Sequence, residues 1–225
     1  MATLKYWLWL TGRRGLGNAG ALRVLDHFVT PERTFYADPE EYALVEDLTP
    51  AARRALLDKD TGGAERILED CARLDLRIMT LQDADYPERL RQLPDPPLAL
   101  YIRGRTFAFD EEAAVCMVGA REATPYGIGS AGRLGLELAR GGALVVSGMA
   151  QGIDTASVQG ALKGGGPVVS VLGAEWMYPT PGRTAGSMRT WPPPGPSSPS
   201  TRRGRSTGGS TSRCATASSA ACAWG

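Results

Sequence analysis

The sequence predicts an α/β fold in which an incomplete parallel sheet follows a small helical domain and precedes a disordered tail. Apolar runs at residues 114–118, 143–146 and 168–172 are unbroken, as expected for strands buried on both faces of a parallel sheet. Helical stretches at residues 126–140 and 155–163 separate these runs, and glycines follow each stretch as helix stops. Right-handed crossovers convert this strand–helix–strand–helix–strand order into a parallel sheet covered by helices.

The first 70 residues are predicted to form the small helical domain. A glycine turn at Gly15 and Gly17 precedes an apolar stripe with helical spacing. Pro39 and Pro50 each stand at a position typical of the first turn of a further helix. The turn is similar to the hairpin of a SAM or helix-hairpin-helix domain, whose backbone amides can hold a nucleic-acid phosphate. The alternative is a helical hairpin that merely packs the domain.

Residues 71–179 are predicted to form the sheet domain, and residues 180–225 a disordered tail. Short β-like runs at residues 76–81 and 98–102 begin the sheet domain. The tail has no Leu, Ile, Val, Phe, Tyr, Lys or acidic residue, so it cannot bury enough apolar surface to offset its ordering entropy. We therefore expect the sheet to lack strands after residues 168–172, with an edge that the tail cannot cover.

Charge and cysteine content exclude several classes of protein. The 225 residues carry 25 basic and 24 acidic side chains, and this balance indicates no particular partner. Every acidic residue precedes residue 176, so the body is mildly acidic and the tail alone is basic. The four cysteines lack metal-like spacing, and we predict buried, reduced thiols at Cys71 and Cys116 and no metal site. Without a signal segment or a membrane-length apolar run, the sequence predicts a cytoplasmic chain with no membrane contact.

Two glycine-containing loops are predicted to carry the chemistry, because each follows a strand at its C-terminal end. They are VGAREATPYG at residues 118–127 and SGMAQGID at residues 147–154. Adjacent strand ends form the ligand crevice of an open parallel sheet, and glycines there let backbone N–H groups approach an anion. Thr124 is predicted to cap a helix beginning at Pro125, whose positive end faces the same crevice. Arg121 adds a charge suited to a bidentate phosphate contact, so the loops predict phosphate binding.

A GxGxxG match at Gly127, Gly129 and Gly132 suggests a dinucleotide site, but its position argues against one. Such a fingerprint needs its first glycine in the turn directly after the strand. Here the helix cap places all three glycines inside a helix, where they are expected to allow close helix–sheet packing. We therefore predict no NAD, FAD or other cofactor. His27 and Asp154 lack a partner base or nucleophile, so no catalytic residue is predicted, and Asp154 is expected to cap a helix.

Over residues 98–179 the chain resembles the Rossmann-like core of the DNA processing protein A (DprA/Smf) family. The matching segments follow in that family's order and spacing: LYIRG at 100–104, VGAREATPYG at 118–127, SGMAQGIDTA at 147–156 and GALKGGGPVVSVLG at 160–173. The segment that begins at Tyr86 and the pair Tyr178-Pro179 are also similar to landmarks of the family. The N-terminal helical zone resembles that family's small helical domain.

The resemblance implies a protein that binds single-stranded DNA without sequence preference, protects incoming DNA and loads a RecA-type recombinase during natural transformation and DNA recombination. It also implies a homodimer and no enzymatic turnover. The DNA-binding residues that it implies lie on the two loops: Gly119, Arg121, Ser147, Gly148, Gln151, Gly152 and Asp154. Two alternatives stay open. One is a Rossmann-fold nucleotide-binding enzyme such as a phosphoribohydrolase, although the PGGxGT loop of that group is absent. The other treats the arginine-bearing tail as an RNA-binding arm.

The chain also departs from the family pattern. Gln151 stands where the family often has a basic residue, Val158 replaces a histidine, and the family's arginine-bearing FPxRNRII segment is absent after Pro179. The tail has the composition of GC-rich coding DNA read out of frame. Residues 211–225, reverse-translated and shifted by one register, can read FPVRNRIISGLCVG, which contains the missing motif. We therefore hypothesise a frameshift near residues 179–184.

Overall fold

A computed structural model describes residues 2–104, 108–172 and 220–224 of the chain. Its helices are α1 (Ala2–Thr11), α2 (Gly17–Phe28), α3 (Pro31–Tyr36), α4 (Pro50–Leu57), α5 (Gly62–Arg73), α6 (Glu88–Arg91), α7 (Pro125–Arg140) and α8 (Ile153–Lys163). Its strands are β1 (Arg77–Thr80), β2 (Ala99–Ile102), β3 (Ala114–Cys116), β4 (Leu144–Ser147), β5 (Val168–Leu172) and β6 (Ala220–Trp224). A small helical domain followed by a partial parallel sheet is the fold that the sequence predicts.

Helices α1–α5 pack around large apolar side chains, most of all those of α1. Trp7, Leu8, Trp9 and Leu10 are each at most 2% exposed. The indole N–H of Trp9 donates to the carbonyl of Asp58 at 2.8 Å, so the buried ring keeps a hydrogen-bond partner. Burial of these side chains removes the helices' apolar faces from water and holds the domain together.

Two helices were predicted to begin at prolines in this domain, and the structure has only one of them among its described residues. Thr49 caps α4, its hydroxyl oxygen accepting the N–H of Ala52 at 3.1 Å, as expected for a helix that begins at Pro50. After Pro39, by contrast, the structure has a 3₁₀ turn at Glu41–Ala43 and no α-helix. The physical reason is that Tyr42 holds this segment against α3. Tyr42 is 1% exposed, and its hydroxyl donates to a backbone carbonyl of α3 at 2.6 Å.

Strands β1 and β2 form a separate antiparallel sheet between the helices and the parallel sheet. Alternation along the strands turns Ile78 and Tyr101 toward the helical core, while Met79 and Leu100 pack against side chains of β4 and β5. The domain boundary proposed near residue 70 falls inside α5, which ends at Arg73.

The parallel sheet has the strand order β3-β4-β5-β6. Strands β3, β4 and β5 are parallel, with Val145 of β4 opposite Val115 on one side and Val168 on the other. The crossover helices α7 and α8 pack closely against each other and against β4. The predicted strand–helix–strand–helix–strand unit is therefore confirmed, with each element within a few residues of its expected position.

The exposure of β3 differs from the prediction. All three residues of β3 are exposed, Cys116 among them, although the apolar run predicted a strand buried on both faces. The reason is the strand order: among the strands that the structure describes, β3 is at the end of the sheet and pairs with β4 alone, and an apolar run does not reveal how many neighbours a strand has. Cys71 is buried as expected, and burial raises the pKa of its thiol to about 11.

Residues 173–219 lie outside the described residues. They include most of the predicted tail and the proposed frameshift point. Residues Ala220–Trp224 differ from the expected disorder, because they pair as β6 antiparallel to β5. Backbone hydrogen bonds form this pairing, and they need no large apolar side chain. Among the described residues the open edge of the sheet is therefore at β3, whereas the sequence predicted it after β5. No helix in the described part of the chain is long and apolar enough to span a bilayer.

Candidate nucleic-acid interface

Two loops lie side by side at the C-terminal ends of β3 and β4. We name residues 117–124 the first loop and residues 148–152 the second loop. The backbone N–H of Ile153, the residue that follows the second loop, donates to the carbonyl of Ala120 in the first loop at 3.3 Å and holds the two loops together. Gly152 has a φ of +93°, and a Cβ there would lie 2.3 Å from the same carbonyl oxygen. A residue with a side chain would force the loops apart, so glycine is required at this contact.

Asp154 holds the first loop in place through a hydrogen bond from the protein interior. Its carboxylate accepts the backbone N–H of Gly119 at 3.0 Å, and the residue is 4% exposed. The helix cap predicted for it is wrong: the N-cap position of α8 is Gly152, and Asp154 lies within the first turn. Its inward orientation makes Asp154 a positioning residue for the loop rather than a group that reaches the surface.

Ser147 has a similar internal role. Its hydroxyl donates to the carbonyl of Met117 at 2.8 Å, and the residue is 1% exposed. This hydrogen bond links the end of β4 to the start of the first loop. The structure thus brings all seven predicted site residues together, but the side chains of Ser147 and Asp154 point into the protein.

The remaining predicted residues form the outer surface of the two loops. Gly119, Arg121, Gly148 and Gln151 are exposed, and Gly152 is partly so. The guanidinium of Arg121 forms no hydrogen bond or ion pair with the rest of the described chain. These residues present backbone groups and one cation to solvent at the end of the sheet where an open parallel fold binds ligands.

Helix α7 begins beside the first loop in the predicted manner. The hydroxyl oxygen of Thr124 accepts the N–H of Gly127 at 3.1 Å, and Pro125 is the first helical residue. No acidic side chain stands in the first turn, so the positive end of this 16-residue helix is not neutralised from within. The exposed carboxylate of Glu122 is the nearest opposing charge in sequence.

Two residues near the loops were not identified from the sequence. Tyr126, in the first turn of α7, is 84% exposed, and an exposed aromatic ring is a surface on which a base can stack. Met149, in the second loop, is 39% exposed and has a φ of +54°, unusual for a residue other than glycine. The aromatic residue could have been noted from its place after the cap, whereas a positive φ at methionine has no signature in the sequence.

The glycines of the GxGxxG match lie inside α7, as predicted, but the close packing is between helices. A Cβ at Gly135 would lie 2.2 Å from the carbonyl oxygen of Ser157 in α8, and one at Gly160 would lie 2.0 Å from that of Gly132. The expected helix–sheet contact is therefore corrected to a contact between α7 and α8. A Cβ at Gly129 would meet no atom within 4 Å, so this glycine takes no part in the contact.

Other candidate sites lie away from the loops. A cleft of about 460 Å³ lies beside β1 and includes Arg77, Tyr86 and Asp110 in its lining. His27 is exposed and packs edge-to-face on Phe28, with ring centroids 4.7 Å apart. Within the described residues, no group of three or more histidine, cysteine or acidic side chains is arranged to hold a metal ion. The two loops thus remain the place where the structure gathers the predicted chemistry.

The family model for DNA recombination-mediator protein A matches residues 77–190, which is about half of the chain. The Smf protein of Synechocystis sp. is 28% identical over 188 residues, covering 79% of this chain and 46% of the relative. The DNA processing protein DprA of Bacillus subtilis is 29% identical over 116 residues, covering 51% of this chain and 39% of the relative. The chain thus spans less than half the length of these curated relatives.

The fold is similar to a solved structure as well. The X-ray structure of DNA processing protein A from Streptococcus pneumoniae matches with a TM-score of 0.60 at 22% sequence identity. The match covers 75% of this chain and 57% of that structure. At this identity the match concerns the fold alone, and it agrees with the α/β architecture described above.

Proposed function

Because the chain belongs to the DNA recombination-mediator protein A family, we propose that it binds single-stranded DNA through the two loops at the ends of β3 and β4. The proposed contacts are backbone amides and the Arg121 guanidinium to phosphates, with Tyr126 as a stacking surface for a base. Ser147, Gly119, Gly148, Gly152 and Asp154 shape and hold the loops, and Gln151 stands at their rim.

One observation supports this proposal above the others. An exposed arginine with no ion-pair partner among the described residues, a long helix with no acidic residue in its first turn, and two joined glycine loops lie together at the ligand-binding end of a parallel sheet. Each feature attracts an anion, and none reads a base edge. We therefore expect binding to the DNA backbone without sequence preference.

The wider role is also a proposal. The Bacillus subtilis relative is named as a DNA processing protein, and we propose that this chain serves DNA processing and recombination in the cytoplasm without catalysing a reaction. Loading of a recombinase, protection of incoming DNA and homodimer formation belong to the same proposal. A catalytic function has less support, since the GxGxxG glycines lie inside α7 and not in a phosphate-binding turn.

The test compares two arginines of the same region. Fluorescence anisotropy with mixed-sequence single-stranded oligonucleotides gives the affinity of wild type, Arg121→Ala and Arg140→Ala at several salt concentrations. Arg140 is also exposed but ends α7, about 22 Å along the helix from Pro125 at 1.5 Å per residue. We expect Arg121→Ala to weaken binding for all base compositions and to reduce the salt slope by about one, because one phosphate contact is lost.

A gain of function provides the second arm of the test. Gln151→Lys should tighten binding and steepen the salt dependence, since it adds a cation beside the DNA backbone. Arg140→Ala should resemble wild type throughout. Equal affinities for wild type and Arg121→Ala would remove this site from the proposal.

A further inference from the structure

The first three residues of α8 each hold one of the two loops. The N–H of Ile153 and the carboxylate of Asp154 bind the first loop, as described above. Thr155 binds the second loop: its backbone N–H donates to the carbonyl of Ala150 at 3.1 Å, and its hydroxyl donates to the same oxygen at 2.7 Å. Two donors occupy both lone pairs of this carbonyl oxygen, so Thr155 fixes the direction of the peptide group that carries it.

A peptide group that is held by its carbonyl also has a fixed N–H. The bond between Ala150 and Gln151 is trans, since the described chain has no cis peptide bond. In a planar trans peptide the C=O and the N–H point in opposite directions. Because the Ala150 carbonyl points to the first turn of α8, the N–H of Gln151 points away from that turn. Gln151 is exposed, and its N–H donates to no acceptor within the described residues, so the loop presents this donor to the surface.

The residue before Ala150 has an unfavourable backbone conformation. Met149 has a φ of +54°, in the left-handed region that residues other than glycine seldom occupy. Such a conformation costs free energy and persists only where surrounding contacts enforce it. The two hydrogen bonds from Thr155 act on the next residue and are in position to enforce it. Without them, Met149 would return to a negative φ and the peptide group that carries the Gln151 N–H would rotate.

We infer that Thr155 is a positioning residue of the DNA site, which keeps the main-chain N–H of Gln151 directed at a phosphate of the bound strand. Thr155 acts through the loop and does not itself touch the DNA. The orientation of the loop stands on the hydrogen bonds alone, whereas the phosphate contact rests on the proposed function of the two loops. A main-chain donor is independent of the side chain, so this contact requires no cation at Gln151.

Affinity measurements on hydroxyl variants test the positioning role. Thr155→Val removes the hydroxyl and keeps the branched shape, and it should weaken binding of mixed-sequence single-stranded oligonucleotides about tenfold, because the enforced conformation is lost. Thr155→Ser keeps the hydroxyl and should bind within about twofold of wild type. Neither variant should change the salt slope, since no cation is lost, whereas Arg121→Ala should reduce it. Thr11→Val removes a comparable hydroxyl donor, to the carbonyl of Leu8 at 3.2 Å, and should bind like wild type.

A double-mutant cycle separates positioning from a general loss of stability. Glycine adopts the left-handed conformation without steric cost, so the loop of Met149→Gly needs less enforcement. We therefore expect Thr155→Val to weaken binding less than about threefold in the Met149→Gly background, against about tenfold in wild type. A residue that merely stabilised the fold would cause the same loss in both backgrounds. Melting temperatures establish that each variant is folded.

The main-chain donor is tested at Gln151. Gln151→Pro removes the N–H and should weaken binding, whereas Gln151→Ala removes only the side-chain amide and should retain most of the affinity. Proline also restricts the residue before it, so amide hydrogen exchange provides a second measurement. Exchange at the Gln151 amide of wild type should slow at least about tenfold when a mixed-sequence oligonucleotide saturates the protein.

A measurement without DNA separates this inference from the proposed function. NMR order parameters of residues 148–152 should be lower in Thr155→Val than in wild type and Thr155→Ser. Unchanged order parameters in Thr155→Val would overturn the inference. So would an equal loss of affinity in both backgrounds of the cycle, or a Gln151 amide that the bound oligonucleotide does not protect. A loosened loop in Thr155→Val, combined with no oligonucleotide binding by wild type, would retain the role of Thr155 in the loop and reject the proposed function together with the phosphate contact.

Discussion

The helical region at residues 2–73 and the parallel-sheet region at residues 108–172 are held together by opposite kinds of packing. The first buries large side chains, with Trp9, Tyr42 and Leu56 each at most 1% exposed. The second has a core rich in alanine and valine, in which helices α7 and α8 meet through glycines at backbone distance. The helical region therefore depends on filled volume, and the sheet region on the absence of side chains.

The two regions also differ in where their aromatic side chains lie. The helical region covers its tryptophans with five helices and a loop, in which Lys59 lies over the rings of Trp9, Phe35 and Tyr42 at 5.0–5.3 Å. The sheet region leaves apolar side chains such as Val118 and Tyr126 in solvent. Covered aromatic rings contribute to a core, whereas exposed apolar side chains beside the first loop form a surface that another molecule can contact.

The largest expected effect is at Trp9 in the helical region. Trp9→Ala should lower the free energy of unfolding by about 3–5 kcal/mol, because it leaves a cavity and removes the hydrogen bond to Asp58. Urea denaturation followed by circular dichroism measures the change, with Leu44→Ala, at a residue 68% exposed, as the control. If the two variants lose the same free energy of unfolding, the helical core is not the source of this region's stability.

In the sheet region, adding a side chain should be destabilising, whereas in the helical region the destabilising change is the removal of one. Gly160→Ala adds a Cβ where the carbonyl oxygen of Gly132 lies 2.0 Å away, so the two helices must separate, at a cost of about 1–3 kcal/mol. Gly129→Ala in α7 meets nothing within 4 Å and should instead stabilise by about 0.5–1 kcal/mol through helix propensity. The melting temperatures of the two variants should move in opposite directions, and a shift of the same sign would refute close helix packing as the basis of this region.

The smallest effect is expected at Asp110, which forms hydrogen bonds with the segment between the two regions. Asp110 accepts the backbone N–H groups of Glu88 and Arg89 at 2.8 and 3.1 Å, and these hydrogen bonds lower the pKa of its carboxyl below the usual value. A lowered folded-state pKa contributes stability above the unfolded pKa, and that stability is lost as pH falls below about 4.

Urea midpoints at pH 5 and pH 3 should therefore differ more for wild type than for Asp110→Asn. The asparagine keeps an acceptor oxygen but carries no charge to titrate. The effect should be slight, since Asp110 lies at the surface and solvent screens its charge. The same difference in both proteins would assign the acid sensitivity to other groups.

Much of the sheet region was predictable because its signals are local. The apolar runs, the Thr124–Pro125 start of α7 and the glycine stops each depend on residues close in sequence. The inward orientation of Asp154 was not predictable, because its partner Gly119 is 35 residues away. The 3₁₀ turn after Pro39 was missed because Tyr42 is anchored by a contact with the preceding helix, which the helical pattern of its own segment does not reveal.

The sequence by itself determined the order of the parallel strands and crossover helices and which two loops hold the predicted site residues, since periodicity, capping residues and glycine positions are encoded over a few neighbouring residues. The tertiary structure alone decided which loop residues face solvent, which helix α7 packs against and that β3 stands at the edge of the described sheet. These properties depend on neighbours brought together across long stretches of chain. An apolar run such as that of β3 has the same composition whether one strand or two lie beside it.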